Sequence, residues 1–108
     1  MAQTFKNARA ILGNVSTGVY TVPAGTTAIV VGCQVANVGS GPTELDFYWT
    51  DASDSDAQTV LGDGIIIPSN SVYEPIGGKL ILEAGDQLRG ISDNDEELEV
   101  TLSVLELS

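Results

Sequence analysis

Apolar and polar residues alternate along most of this chain, and clusters of Gly, Pro, Asn and Ser break the alternation roughly every ten residues. The clearest strand is predicted over 27–38, with Ile29, Val31, Cys33 and Val35 facing a core and small residues such as Gly32 and Ala36 on the other side. A second strand covers 43–50, with Leu45, Phe47 and Trp49 inward and Glu44, Asp46 and Tyr48 on a wet face. Residues 58–67 read as a strand broken at Gly62-Asp63-Gly64 before a buried run Ile65-Ile66-Ile67. Shorter strands are predicted near 72–74, where Pro75 ends the pairing, at 79–83 and at 87–92. The last strand, 97–107, turns Leu98, Val100, Leu102 and Val104 inward. Leu105 and Leu107 fall on the opposite face, which predicts a bulge or an end that packs outside its own sheet. Before residue 17, the residues Phe5, Ala8, Ala10, Ile11 and Leu12 fit either a strand or an extended arm. No stretch carries a sustained helical stripe.

One unit occurs twice. Tyr20-Thr-Val-Pro-Ala-Gly-Thr-Thr-Ala-Ile-Val30 and Leu80-Ile-Leu-Glu-Ala-Gly-Asp-Gln-Leu88 each place an Ala-Gly turn between two alternating stretches. Pro23 suits the second position of a type I turn, and Gly25 and Gly85 can take the positive φ that follows, so both units read as hairpins. The pattern predicts an all-β fold: an antiparallel β-sandwich of about eight strands, with jelly-roll or immunoglobulin-like wiring. The predicted organisation is an N-terminal arm or extra strand over 1–16 and a β-sandwich domain over 17–108.

Charge divides the chain. All 15 acidic residues lie at or after Glu44, while Lys6 and Arg9 are the only charged residues before it. The first 43 residues therefore carry +2, and the remaining 65, with Lys79 and Arg89, carry −13. An acidic chain of this kind does not displace the counterions of a nucleic acid, so no nucleic-acid partner is expected. No apolar run reaches the length of a membrane span and the N-terminus shows no signal-peptide core, so neither membrane insertion nor export is expected. The single Cys33 excludes an internal disulfide and suits a reducing compartment during folding.

Catalytic chemistry finds little footing. There is no histidine, which removes the usual general base and every Ser-His-Asp or Cys-His arrangement. Cys33 lies mid-strand on an apolar face without a cationic neighbour, the setting of an inert structural thiol. No phosphate loop or dinucleotide fingerprint is present. We expect no enzyme, no catalytic residues and no cofactor. Asp51, Asp54 and Asp56 in one loop, and Asp93 and Asp95 in another, are weak calcium candidates. Neither loop has the glycine that a twelve-residue calcium loop needs, and charge that blunts hairpin tips explains both clusters. Trp49 and Phe47 fit a core better than a sugar-stacking platform, which leaves Tyr48 as the aromatic contact residue.

The segment Val19-Tyr-Thr-Val-Pro-Ala-Gly-Thr-Thr-Ala-Ile-Val30, followed by Val35-Ala36-Asn37 and later by Leu80–Leu88, resembles small virion structural proteins of tailed bacteriophages. Head-decoration, head-fibre and tail proteins share such segments. The resemblance covers about residues 17–108 and implies a β-sandwich structural protein without an active site. It implies a capsid decoration, or cement, protein that binds the outer shell and stabilises contacts between capsomers. A tail, collar or fibre component is the alternative, and a carbohydrate- or calcium-binding module a third. The expected partners are the major capsid protein or another virion protein, together with further copies of the chain. The expected location is the virion, after synthesis in the host bacterial cytoplasm. Phe5, Lys6, Arg9, Ile11 and Leu12 are the expected docking residues, with Leu105 and Leu107 forming a second contact. On the arm reading, removal of residues 1–12 abolishes docking and spares the fold.

Overall fold

The alternating stretches form nine strands in the computed structural model, which describes residues 2–108. They are β1 (Gln3–Leu12), β2 (Thr17–Thr21), β3 (Thr27–Asn37), β4 (Thr43–Asp51), β5 (Ala57–Ile67), β6 (Val72–Tyr73), β7 (Leu80–Leu82), β8 (Gln87–Ser92) and β9 (Leu98–Leu107). They build two antiparallel sheets. One has the order β1-β9-β3-β6, with β7 also paired to β3; the other runs β2-β8-β4-β5. The fold is an all-β, antiparallel β-sandwich. Its core is the set of inward residues from both sheets, including Leu12, Val30, Val35, Leu98, Val100 and Leu102 from the first and Leu45, Phe47 and Leu88 from the second.

The alternation in β9 never slips. Leu98, Val100, Leu102 and Val104 are buried, and the next inward position holds Glu106, only 7% exposed. Leu105 and Leu107 follow the same phase and lie half-buried on the outer face. The irregularity sits in β3 instead. Val30 pairs with Val104 and Gly32 with Ser103, so Val31 is an unpaired bulge residue. Ala28 and Val30 are buried before it and Cys33, Val35 and Asn37 after it. The inward set predicted for β3 is therefore correct only beyond the bulge: Ile29 and Val31 belong outside. Asn37 is satisfied in the core, because its amide donates to the Gly41 and Ile67 carbonyls and its side-chain oxygen accepts the Gly39 N–H.

The twin units are not hairpins. β2 and β3 lie in different sheets, as do β7 and β8, so each Ala-Gly turn is a corner that carries the chain across the sandwich. Thr26 N–H donates to the Pro23 carbonyl and Asp86 N–H to the Glu83 carbonyl. Pro23 and Glu83 thus hold the first turn position, and Gly25 (φ 70) and Gly85 (φ 86) the third. A positive φ there defines a type II turn rather than type I. The two corners lie side by side and bond to each other, Val22 N–H to the Asp86 carbonyl and Gly85 N–H to the Val22 carbonyl. The buried Asp86 carboxylate accepts from Glu83 N–H and Ala52 N–H, tying both corners to the β4–β5 hairpin.

Residues 3–12 form a strand, not an arm. β1 pairs with β9 along its whole length, and the buried Leu12 reaches the other sheet. A Cβ added at Gly90 would come within 3.0 Å of both Leu12 and Phe47. Removing residues 1–12 would strip the first sheet of an edge strand and the core of Leu12, so it does not spare the fold. Met1, which begins the predicted arm, lies outside the described residues. In β5 the predicted break is present: two register shifts flank Gly62, and Gly64 (φ 62) donates its N–H to Asp46. The run after the break is not wholly buried, because Ile66 is 64% exposed while Ile67 lies in the core.

Candidate functional site

Strand pairing assembles an apolar row across the outer face of the five-stranded sheet. Phe5 pairs with Leu105, Leu105 with Ile29, and Ile29 with Ile81. Phe5 is 77% and Ile81 64% exposed. Beside this row lie Leu107 and the exposed Val31. A second row, Ile11–Glu99–Ala36–Val72, crosses the other end of the face. Of the outward positions on these strands only Arg9 and Glu99 are charged, and they line one open groove with Ile11 and Thr101. On a chain of net charge −11 this face is sparsely charged, with Glu74, just past β6, joining Gln34, Thr101 and Ser103 beside the Arg9–Glu99 groove.

Five of the expected docking residues, Phe5, Arg9, Ile11, Leu105 and Leu107, therefore share one face. Two do not. Leu12 is fully buried and unavailable to a partner. Lys6 points along the inner side, where its Nζ lies 3.2 Å from the Glu106 carboxylate. Tyr20 reaches Glu106 from the opposite sheet and donates its hydroxyl at 2.5 Å. The Tyr20 hydrogen bond and the Lys6 charge hold the Glu106 carboxyl below its usual range against the opposing effect of burial. Burial, the hydrogen bond and the carboxylate charge push the Tyr20 phenol far above its ordinary value. This trio closes one end of the sandwich.

The outer face of the four-stranded sheet is built differently. Tyr48 points outward as the alternation predicts, yet it is only 7% exposed. Its hydroxyl hydrogen-bonds the Ser16 hydroxyl, and the Arg89 guanidinium donates to both Ser16 Oγ and the Ser16 carbonyl. Tyr48 is thus a structural residue, not the exposed contact expected of it. Phe47 is fully buried and Trp49 packs against the core, so no sugar-stacking platform exists there.

The acidic loops serve as local caps. Asp51 accepts from Ser53 at the start of a single 3-10 turn over Ala52–Asp54, Asp93 accepts the Glu44 N–H and Asp95 the Asn14 N–H. Among the described residues, no three of His, Cys, Asp and Glu gather as metal ligands, and Asp51, Asp54, Asp56, Asp93 and Asp95 form no such cluster. Burial, reinforced by Glu74, pushes the Cys33 thiol up to about 12, and a thiol held protonated is a poor nucleophile. Among the described residues, no helix is long and apolar enough to cross a membrane.

Sequence reasoning missed Ile29, Val72 and Ile81 as surface residues. Ile29 was hidden by the Val31 bulge. Ile81 and Val72 join the outer rows only because β7 and β6 pair with β3, which no local pattern states.

No family model and no curated protein sequence matches the chain. Its fold is found in solved structures. A chain of the acid-stable capsid of Helicobacter pylori bacteriophage KHP30 is similar over 100% of this chain and 94% of its own, with a TM-score of 0.56 at 13% identity. A chain of the disulfide-linked pili formed by Bacillus endospore appendages is similar over 99% of this chain and 87% of its own, at 0.56 and 11%. A chain of the T13 IBDV viral particle is similar over 96% of this chain but only 30% of its own, at 0.52 and 6%.

Proposed function

We propose that this chain is a non-enzymatic structural protein of a bacteriophage particle, a decoration protein that seats the outer face of its five-stranded sheet on the capsid shell. The observation that carries the reading is that largely apolar, sparsely charged face on an otherwise acidic molecule. Four strand positions about 4.8 Å apart and ten residues of about 3.4 Å each give a face of roughly 600 Å² in projection. That approaches the ~800 Å² per partner of a standard protein interface. The remaining acidic surface faces solvent and opposes non-specific aggregation. The likeness to a phage-capsid chain over nearly the whole of both chains supports the same class. So does the strand order, which matches jelly-roll wiring when β6 and β7 share one position. The likeness to pilus chains favours a second, extracellular assembly less, because the single cysteine here is buried and so unsuited to disulfide linkage between subunits.

The test is to quantify this chain against the major shell protein in purified particles. Hundreds of copies per particle support decoration. A few to a few dozen overturn it in favour of a tail, collar or fibre component, and none in any particle overturns the virion reading. Ile81→Lys, which charges the exposed row without touching the core, is expected to lower shell occupancy by at least ten-fold.

A further inference from the structure

The exposed sheet edges are not equally protected. β2 offers five residues interrupted by a bulge at Val19. β5 carries two register shifts and the left-handed Gly64. β6 and β7, which share an edge of β3, are two and three residues long. Short strands and bulges are the devices that stop an edge from pairing with another chain. β1 has neither. Its ten residues pair with β9 in unbroken register, it contains no proline or glycine, and it has no second strand partner among the described residues. Its one inward-pointing charge, Lys6, is neutralised within the chain by Glu106.

We infer that β1 pairs antiparallel with β1 of a second copy, joining two five-stranded sheets into one continuous sheet across a two-fold axis at Ala8. Charge selects this occupant. Two copies of a −11 chain repel over most of their surface, and the β5 edge carries Asp63, with Asp56 just before it, and no cation. β1 carries Lys6 and Arg9 and no acid, while adjacent β9 supplies Glu99 and Glu106, so the two signs balance at this edge.

The sequence of β1 also suits pairing with itself. With Ala8 opposite the partner's Ala8, Phe5 stands opposite the partner's Ile11 and Arg9 opposite the partner's Asn7. Lys6 stands opposite the partner's Ala10. Apolar residues then meet across both outer rows and no cation faces a cation, which is the arrangement that stabilises cross-strand pairs. The same pairing accounts for two large apolar side chains, Phe5 and Ile11, standing 77% and 51% exposed on an open edge. The dimer does not depend on where in a particle the chain sits.

The test is the solution mass of the purified full chain, by sedimentation or light scattering, from micromolar to millimolar concentration. The wild type is expected to form a dimer. Asn7→Lys places a cation opposite Arg9 twice per dimer and is expected to weaken it about ten-fold. Adding Arg9→Glu to that variant is expected to restore it, because position 7 then faces an opposite charge. Ile81→Lys, at the far side of the same sheet, is expected to leave the dimer intact. A wild type that stays monomeric at millimolar concentration overturns the inference. So does an unaffected Asn7→Lys variant, a double variant that is not restored, or loss of the dimer in Ile81→Lys, which would point to face-to-face contact. Amide exchange in the wild type gives an independent reading. Exchange in β1 slows with concentration while exchange in β5 does not, and concentration-independent exchange in β1 contradicts the pairing.

Discussion

The two outer faces of this sandwich differ in what covers them. On the four-stranded sheet, the large aromatic Tyr48 is sealed by the chain's own Ser16 and Arg89. On the five-stranded sheet, Phe5 and Ile81 stand open to solvent with no side chain folded over them. Both faces contain outward-pointing aromatic and branched residues, so composition does not separate them. What separates them is the cover over the aromatic residue: Tyr48 is sealed and Phe5 is not, although Val60 and Ile66 stand exposed on the same face as Tyr48. Tyr48 contributes to folding, whereas the Phe5–Leu105–Ile29–Ile81 row contributes little to the isolated fold and stays free for a partner.

Stability measurements can break that contrast. The largest effect is expected for Tyr48→Ala, which empties a buried aromatic site and removes the hydroxyl that hydrogen-bonds Ser16. Urea unfolding should show a loss of about 3 kcal/mol. If Tyr48→Ala costs no more than an outer-row substitution on the other sheet, the two faces are equivalent and the distinction fails.

A smaller effect is expected for Glu106→Gln, which keeps the shape but removes the charge shared by Lys6 and Tyr20. It should cost about 1 kcal/mol near pH 7. Because the folded carboxyl titrates below its ordinary value, its contribution is present above about pH 4.3 and is lost as the pH falls through the folded value. Melting temperatures of wild type and variant should therefore converge under acid conditions. Curves that stay parallel down to about pH 2 would show that the carboxylate charge plays no part. The smallest effect is expected for Ile81→Lys. Its unfolding free energy, measured at low concentration, should stay within about 0.5 kcal/mol of wild type.

Much of the architecture was legible from alternation, because a half-buried strand cannot hide its period of two. β9 reads correctly as far as Val104, beyond which no slip occurs, and the positive φ of Gly25 and Gly85 follows from the turn residues alone. The failures have physical reasons. Ala28-Ile29-Val30-Val31 is apolar in both phases, so nothing local marks the bulge that moves Ile29 outward. An Ala-Gly turn looks alike whether its flanking strands pair or part to different sheets, and the parting rests on β8 and β9, far along the chain. Glu106 would be read as exposed, and its partner Tyr20 lies 86 residues away. Alternation places Phe5, Arg9 and Ile11 on one side of β1. That this side continues through Leu105 to Ile29 and Ile81 depends on β9 lying between β1 and β3.

That position of β9 also bears on how the protein is made. The ribosome delivers β1 first and β9 last, yet β9 is the strand on which both β1 and β3 are hung. While Leu98–Leu107 are still unmade, the first sheet has no centre, and the core that rests on Val100 and Leu102 has no floor. The first sheet of such a chain closes only once β9 has been made, and until then its earliest strand stays unpaired and open to misassociation.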